Sequence, residues 1–327
     1  MSDISVKETV EFARGTWWIK VGVERVVLHA WYRVRVVSRL RSATFNMYKP
    51  KPLLKALMPQ PITELPMLSS TQNQRVKDYV ELRTDGNARR ERKRFMLEGK
   101  RSVEAALALP HIVVHEIIFS DHILGTDLEL VERAQSKNIP LVRVTKDVFK
   151  KITDVITPQG IAAILRIPEW KPQEALSAPD ALIVVACGLQ DPGNIGALIR
   201  SCEAAGATAL VSLEGTVDAF NQKVVRATAS GLLSLPILRI KTQDFLEEAD
   251  TRSIRLVATV ARDGTPYKKF DFTKRPLALC IGSEGDGLPP DVEKACTERV
   301  TIPLKGNGES LNAAVAASVL LFEAATV

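Results

Sequence analysis

The sequence predicts an α/β protein whose larger part is a mostly parallel sheet with helices on both faces, preceded by a smaller α/β domain. Three observations predict it. Residues 182–187 are a continuous apolar run, the pattern of a strand covered on both faces by crossover helices. Further apolar runs at 207–212, 236–240, 256–260, 277–281 and 300–302 are spaced widely enough for helices between them. Segments rich in Gly, Pro and Asn stand just beyond several of these runs, where open α/β sheets place their ligands.

Taken in chain order, residues 1–66 stand apart. They hold Trp17, Trp18 and Trp31, an alternation of Val and Arg over 34–37, and a stretch punctuated by Pro50, Pro52, Pro59, Pro61 and Pro66. The alternation has the period of a hairpin, but no following unit requires one. Two readings stand side by side: a poorly ordered basic tail, and translation that starts at Met67. Residues 67–167 read as a small α/β domain. It has a helix over 74–82, a basic cluster at Arg89, Arg90, Arg92, Lys93 and Arg94, and a helix over 100–109. A β-branched run at 112–119, a helix over 128–136 and short strands at 140–144 and 161–167 complete it. Residues 168–180, with Pro168, Pro172 and Pro179 among polar residues, read as a linker. The larger domain occupies 181–327. Its first helix covers 195–205 and stops at Gly206, which can take the positive φ of a C-cap. Its last helix runs from Ser310 toward the C-terminus.

Composition bounds the function. The chain has 327 residues, 46% hydrophobic and 25% charged, enough for two cores and unlike a disordered or fibrous protein. No run approaches the roughly 20 apolar residues of a bilayer span and no signal pattern opens the chain, so a cytoplasmic location with no membrane partner is expected. Cys187, Cys202, Cys280 and Cys296 form no CxxC pair, and His29, His111, His115 and His122 all lie upstream of them. They read as reduced, buried hydrophobes, and no metal is expected. The formal charge is +6, yet residues 1–66 hold 11 Lys and Arg against 5 Asp and Glu, leaving 33 of each beyond. A nucleic-acid reading therefore rests on local clusters rather than on net charge.

Three segments carry chemistry. In the first, residues 189–200, Asp191-Pro192-Gly193-Asn194 is turn chemistry, with Gly and Asn tolerant of a left-handed backbone. A turn explains those four residues but not Arg200, about one and a half turns into an otherwise apolar helix. The second, residues 281–290, places Gly282, Gly285 and Gly287 within six positions, so that main chain can approach a ligand closely. Its spacing is GxxGxG and it runs into Pro289-Pro290; neither GxGxxG nor GxxxxGK[ST] occurs, which sets NAD and ATP aside. The third, residues 302–316, offers Ser310 as an N-cap with Asn312 in the first turn of a helix apolar on nearly every face. Burial against a second neighbour follows, and a subunit interface is one candidate.

Each segment alone has a plain structural explanation. In order, DPGNIGALIR, IGSEGDGL and IPLKGNGESLNAAVA resemble the three motifs of the SpoU/TrmH-type RNA ribose methyltransferases of the SPOUT superfamily. The resemblance covers residues 67–327. It implies a trefoil-knotted α/β fold, a homodimer, and S-adenosylmethionine as methyl donor without a metal. It further implies that Asn194, Arg200, Glu284, Ser310 and Asn312 occupy active-site positions. Ile281, Gly282, Glu284, Gly285, Ile302, Leu304, Ser310 and Leu311 are the cofactor-binding candidates. Arg226 matches an arginine that handles RNA at the dimer interface, although Ser230 stands where the family usually has glycine. Arg89, Arg90, Arg92, Lys93 and Arg94 are further candidates for RNA phosphate contact, against the plain reading of a solvated helix face.

The implied reaction moves a methyl group to a ribose 2′-hydroxyl, so the protein must align donor and acceptor and help remove a proton. A guanidinium, with a pKa above about 12, is a poor general base. Arg200 is accordingly expected to act by phosphate contact and charge stabilisation, with Ser310 and Asn312 orienting it or the ribose. Analogy with longer relatives favours ribosomal RNA over transfer RNA. The competing class is an RNA-binding or ribosome-assembly factor that keeps the fold without turnover.

Overall fold

The computed structural model describes residues 61–327 apart from 124–125, 154, 229–230, 307 and 327, and, ahead of them, four strands between residues 8 and 36. Residues 1–64 and 65–327 are separate compact units. In the first, β1 (Glu8–Ala13), β2 (Thr16–Val21), β3 (Glu24–His29) and β4 (Val34–Val36) pair antiparallel in sequence order. Of the Val-Arg alternation, residues 34–36 form β4. β-Branched and aromatic side chains at period two favour the pleated backbone. The prolines from Pro50 to Pro59 lie outside the described residues.

The second unit opens with a five-stranded sheet. Its strands are β5 (Met67–Leu68), β6 (Arg94–Glu98), β7 (Val114–Ser120), β8 (Leu141–Val144) and β9 (Ile161–Arg166), in the order β5-β8-β7-β9-β6. Around it lie α1 (Gln74–Thr84), α2 (Gly86–Arg92), α3 (Lys100–Ala108), α4 (Thr126–Ser136) and α5 (Lys146–Ile152). Some of these elements were not expected. Strands β5 and β6 and helix α5 had no assignment in the sequence, and the basic cluster proves to be largely helix α2, ended by Lys93 at φ 50°. Val76, Tyr79 and Leu82 of α1 pack with Met96, Ile118, Phe149 and Ile164 to fill one core.

The second sheet is parallel throughout its ladders. It comprises β10 (Leu182–Ala186), β11 (Ala209–Ser212), β12 (Ile237–Arg239), β13 (Arg255–Val260), β14 (Thr265–Pro266), β15 (Leu277–Ile281) and β16 (Glu298–Thr301). The order is β12-β11-β10-β15-β13-β16-β14. The short α6 (Pro172–Ala175) lies within the expected linker. Crossovers are made by α7 (Pro192–Ala204), α8 (Gln222–Ala227), α9 (Thr242–Thr251) and α10 (Pro290–Ala295), and α11 (Ala313–Ala325) ends the chain. Ile183, Val185, Val211, Ala278 and Cys280 face Phe245 of α9 and Val292 of α10. Their strand neighbours Leu182, Val184, Leu210 and Leu279 are equally buried, and side chains alternate along a strand. The opposite face is therefore covered too, by α7 and α11, which touch β11 and β15 respectively.

Among the described residues no helix is long and apolar enough to cross a membrane.

Candidate active site

The site forms where the loops after β10, β15 and β16 meet at the C-terminal ends of the parallel strands. The loop after β10 is fastened by Thr216, whose Oγ1 donates to the carbonyl of Ala186 (2.9 Å) and accepts from the N–H of Gly188 (3.0 Å). Helix α7 then begins earlier than expected. Asp191 is its N-cap, with Oδ1 accepting from the Asn194 N–H at 2.9 Å, and Pro192 holds the first helical position. Neither Gly193 nor Asn194 adopts positive φ; the turn expected at 191–194 to cap the next helix is that helix's cap and first turn. Asp followed by Pro is a helix-start signature that could have revealed this from sequence.

The loop after β15 folds back on itself. Ser283 and Gly287 exchange backbone hydrogen bonds, the Ser283 N–H to the Gly287 carbonyl at 3.0 Å and the reverse at 3.1 Å. Gly287 has φ 72°, and a Cβ on Gly282 would lie 2.3 Å from the Gly287 carbonyl carbon. Only glycine allows that closure.

Asn312 rather than Ser310 is the N-cap of α11. Its Oδ1 accepts from the N–H groups of Ala314 (3.1 Å) and Val315 (3.2 Å). Its Nδ2 donates to Asn194 Oδ1 at 2.8 Å and to Glu284 Oε1 at 2.7 Å. Glu284 Oε1 also accepts from Asn194 Nδ2 (3.2 Å) and from the Ala313 N–H (3.3 Å). One side chain from each segment thus enters a single network. Both amide hydrogens and the carbonyl oxygen of Asn312 are committed, so it has no free donor. Glu284 Oε2 has no hydrogen bond among the described residues.

The other candidates stand differently. Ser310 is exposed and has no hydrogen-bond partner among the described residues; two residues upstream of the helix cap, it cannot cap it. Arg200 lies six residues beyond Asn194, about 240° around the helix, on the exposed side of α7 and outside the network. Arg226 is exposed on α8. The departure at Ala229 and Ser230 falls outside the described residues. Ile281 is buried, with its carbonyl accepting from the Cys187 N–H at 2.9 Å. Ile302 and Leu311 are half-buried, whereas Leu304 is 37% exposed despite its size.

Arg89 corrects the phosphate reading of the basic cluster. It is 2% exposed and its guanidinium is committed to Asp218 Oδ2 and to the carbonyls of Leu82 and Arg83, so it is withdrawn from an RNA backbone. Arg90, Arg92 and Lys93 are exposed or nearly so, and Arg94 is half-buried. Arg92 pairs with Glu81, and Lys93 with Glu169 at 2.7 Å.

The glycines test whether this loop cluster suits S-adenosylmethionine. At Gly285, Gly306 and Gly308 the backbone has no left-handed φ, and an added Cβ would meet nothing within 4 Å. Folding does not require glycine there, and each leaves bare main chain open to the approach of a ligand. With Leu304, two residues before Gly306, exposed and able to receive an apolar ring, the residues fit a nucleoside-bearing donor. Among the described residues no three His, Cys, Asp or Glu side chains gather as a metal site.

A parallel sheet with three loops converging through Asn194, Glu284 and Asn312 at the C-terminal ends of its strands is the ligand-binding arrangement of an open α/β protein. Comparison with known proteins places it more narrowly. Residues 181–322 match the SpoU rRNA Methylase family and residues 73–163 an MRM3-like substrate binding domain. The chain is 33% identical to the Bacillus subtilis (strain 168) 23S rRNA (guanosine(2553)-2′-O)-methyltransferase RlmP over 255 residues, covering 78% of this chain and 97% of that one. An AdoMet-bound rRNA methyltransferase from Sinorhizobium meliloti superposes with a TM-score of 0.73 at 28% identity, over 79% of this chain and 97% of that one. The AdoMet complex of the SpoU methyltransferase AviRb from Streptomyces viridochromogenes gives 0.69 at 28%, over 78% and 98%. The chain belongs to the SpoU rRNA methylase family and is an S-adenosylmethionine-dependent RNA 2′-O-methyltransferase.

Proposed function

We propose that this enzyme methylates the ribose 2′-hydroxyl of a nucleotide in 23S ribosomal RNA, as a cytoplasmic homodimer. The observation that carries the reading is the convergence of Asn194, Glu284 and Asn312 from loops that also carry three glycines whose open space the fold itself does not use. The activity stated for the Bacillus subtilis relative and the match of residues 73–163 to a substrate binding domain support ribosomal RNA as the acceptor.

S-adenosylmethionine, when bound, supplies a methyl group already activated by its sulfonium. The chain must then seat the ribose and accept a proton. Glu284 is the group equipped to take that proton, because three donors hold Oε1 and leave Oε2 free to accept from the ribose hydroxyl. Asn312 and Asn194 hold that carboxylate in place. Arg200 and Arg226 are cations that contact phosphate, as guanidinium geometry favours. Ser310, exposed beside the cap, contacts the ribose or the donor. Arg90, Arg92, Lys93 and Arg94 serve as weaker phosphate contacts on the small domain. The segment carrying Ile302, Leu304 and Leu311 is the one the family threads through its knot.

The dimer reading rests on α11. Val315 and Phe322, seven residues apart, are 51% and 50% exposed on a helix otherwise packed into the protein. α7 lies beside it, joined by a 2.6 Å hydrogen bond between Ser201 and Ser318, so exposed Arg200 lies on the neighbouring helix of the same layer. A second copy is the partner that would cover the apolar face and close the site around Arg200. A Phe322→Asp variant should sediment as a monomer where the parent sediments as a dimer; an unchanged dimer would remove this surface from the interface.

Ribose-methylation mapping of total RNA from a deletion strain and its parent tests the function. Loss of one 2′-O-methyl signal in 23S rRNA is expected. Loss confined to transfer RNA would correct the substrate, and no loss at all would refute the reading.

A further inference from the structure

The basic cluster holds one residue that the RNA reading does not absorb. Arg89 sits on α2 of the small domain, and its partner Asp218 lies 129 positions away in the loop between β11 and α8 of the catalytic domain. The Arg89 Nε and Nη2 both reach Asp218 Oδ2, at 2.8 and 2.7 Å, while Nη1 donates to the carbonyls of Leu82 (2.8 Å) and Arg83 (3.2 Å) in the last turn of α1. The fork therefore satisfies helix-end carbonyls on one side and a catalytic-domain carboxylate on the other. At 3% side-chain exposure it cannot do this loosely.

Asp218 relays the contact. Its Oδ1 accepts from the Phe220 N–H at 2.9 Å and its carbonyl from the Asn221 N–H at 2.9 Å, and Asn221 in turn caps α8 through the Lys223 N–H at 2.9 Å. The Phe220 ring lies 5.0 Å from that of Phe95 on β6, tilted by 54°. At its far end α8 meets α7 at Gly196, where a Cβ would stand 2.3 Å from that of Ala227. Gly196 lies between Asn194 and Arg200. The contact thus runs from the small domain through the start of α8, past Arg226, onto the helix that carries two further site residues.

We propose that Arg89 and Asp218 are a positioning pair for methyl transfer: the small domain, besides any hold on RNA, clamps the start of α8 and so sets Arg226 against α7. The proposal rests on the reading of Arg226 as an RNA-handling residue. It makes the small domain part of the catalytic geometry.

The test uses the full-length enzyme, 23S rRNA purified from a strain lacking the gene, and tritiated S-adenosylmethionine in single-turnover assays. Asp218→Asn keeps the Oδ1 acceptor for Phe220 and removes the ion pair. At saturating RNA its rate should fall by about tenfold or more, while the dissociation constants for S-adenosylmethionine and RNA stay within about threefold of the parent. In an Arg226→Ala background the same change should cost less than about threefold, because residues acting through one another are not additive. Phe220→Leu, which removes the ring contact but no charge, should show the same pattern and stands in if Asp218→Asn does not fold. Arg226→Ala with the full parent rate removes the role of Arg226 and the proposal with it. A slow Arg226→Ala beside an Asp218→Asn of parent rate overturns the positioning role alone. Independent, multiplying losses, or a loss of RNA affinity with the rate unchanged, overturn it equally.

Discussion

Replacing Asn312 by Asp changes one group and asks one question of the site. Asp caps a helix as well as Asn does, so the bonds from Ala314 and Val315 to Oδ1 survive. The Nδ2 that donates to Asn194 Oδ1 at 2.8 Å and Glu284 Oε1 at 2.7 Å becomes an acceptor facing two acceptors. Two hydrogen bonds worth about 1 kcal/mol each are lost. The two carboxylates repel besides, by about 1 kcal/mol at 4 Å in water and more at a protein surface. Both residues are exposed, so the lower figure applies, giving about 3 kcal/mol against the assembled loops. If assembly limits binding, the affinity for S-adenosylmethionine should fall roughly a hundredfold. The thermal midpoint should fall by no more than about 5 °C, because the cap persists and about 3 kcal/mol is small against the unfolding entropy of a unit this size. Calorimetric titration with S-adenosylmethionine and a differential scan measure the two quantities. Asn312→Asp with parent affinity would refute the claim that this amide joins the three loops; a large fall in the midpoint would show its role to be chiefly structural.

Gly282→Ala places a methyl 2.3 Å from the Gly287 carbonyl carbon and should abolish S-adenosylmethionine binding. Gly285→Ala meets no protein atom, so it should keep the parent melting point and weaken binding alone, as paired titrations and melts would reveal. Gly196→Ala gains up to about 1 kcal/mol of helix propensity, but its methyl collides with Ala227. Overpacking costs about 1–3 kcal/mol, so a lower denaturation midpoint is expected. Burial pushes the thiols of Cys187 and Cys202 up to about 12, while a hydrogen bond from Cys280 holds half-buried Cys296 below the ordinary thiol value. A lowered pKa means more thiolate at about pH 8, so a disulfide reagent should modify Cys296 first; mass mapping identifies the labelled residue.

Much of the catalytic sheet was legible because burial on both faces writes continuous apolar runs, as at residues 182–187 and 277–281. Strand β6 was not, since the feature that makes residues 94–98 a strand is pairing with residues 162–166, far along the chain. The burial of Arg89 was hidden for the same reason: five basic residues in six positions look alike until Asp218 singles one out. In the third motif, Ser310 and Asn312 are both capable caps, and propensity does not choose between them. The tie to Glu284 and Asn194 does, and it comes from two other loops. Glycine spacing announced the loop after β15, but not which glycine closes the loop and which leaves room.

The stretch between the two domains looked like a tether, and its composition argues for one. Yet Trp170, within it, packs on the catalytic core, and its ring lies 5.8 Å from that of His111 in the small domain. His111 Nε2 in turn lies 2.9 Å from the carbonyl oxygen of Leu233. The seam between two matched family segments is therefore not a cleavage plane. Excising residues 65–167 would strip the cover from Phe220, Asp218 and Trp170 together, and a graft of this catalytic half onto another RNA-binding module would have to rebuild that cover residue by residue. From residue 65 onward the two matched segments form a single piece of architecture whose party wall carries load from both rooms.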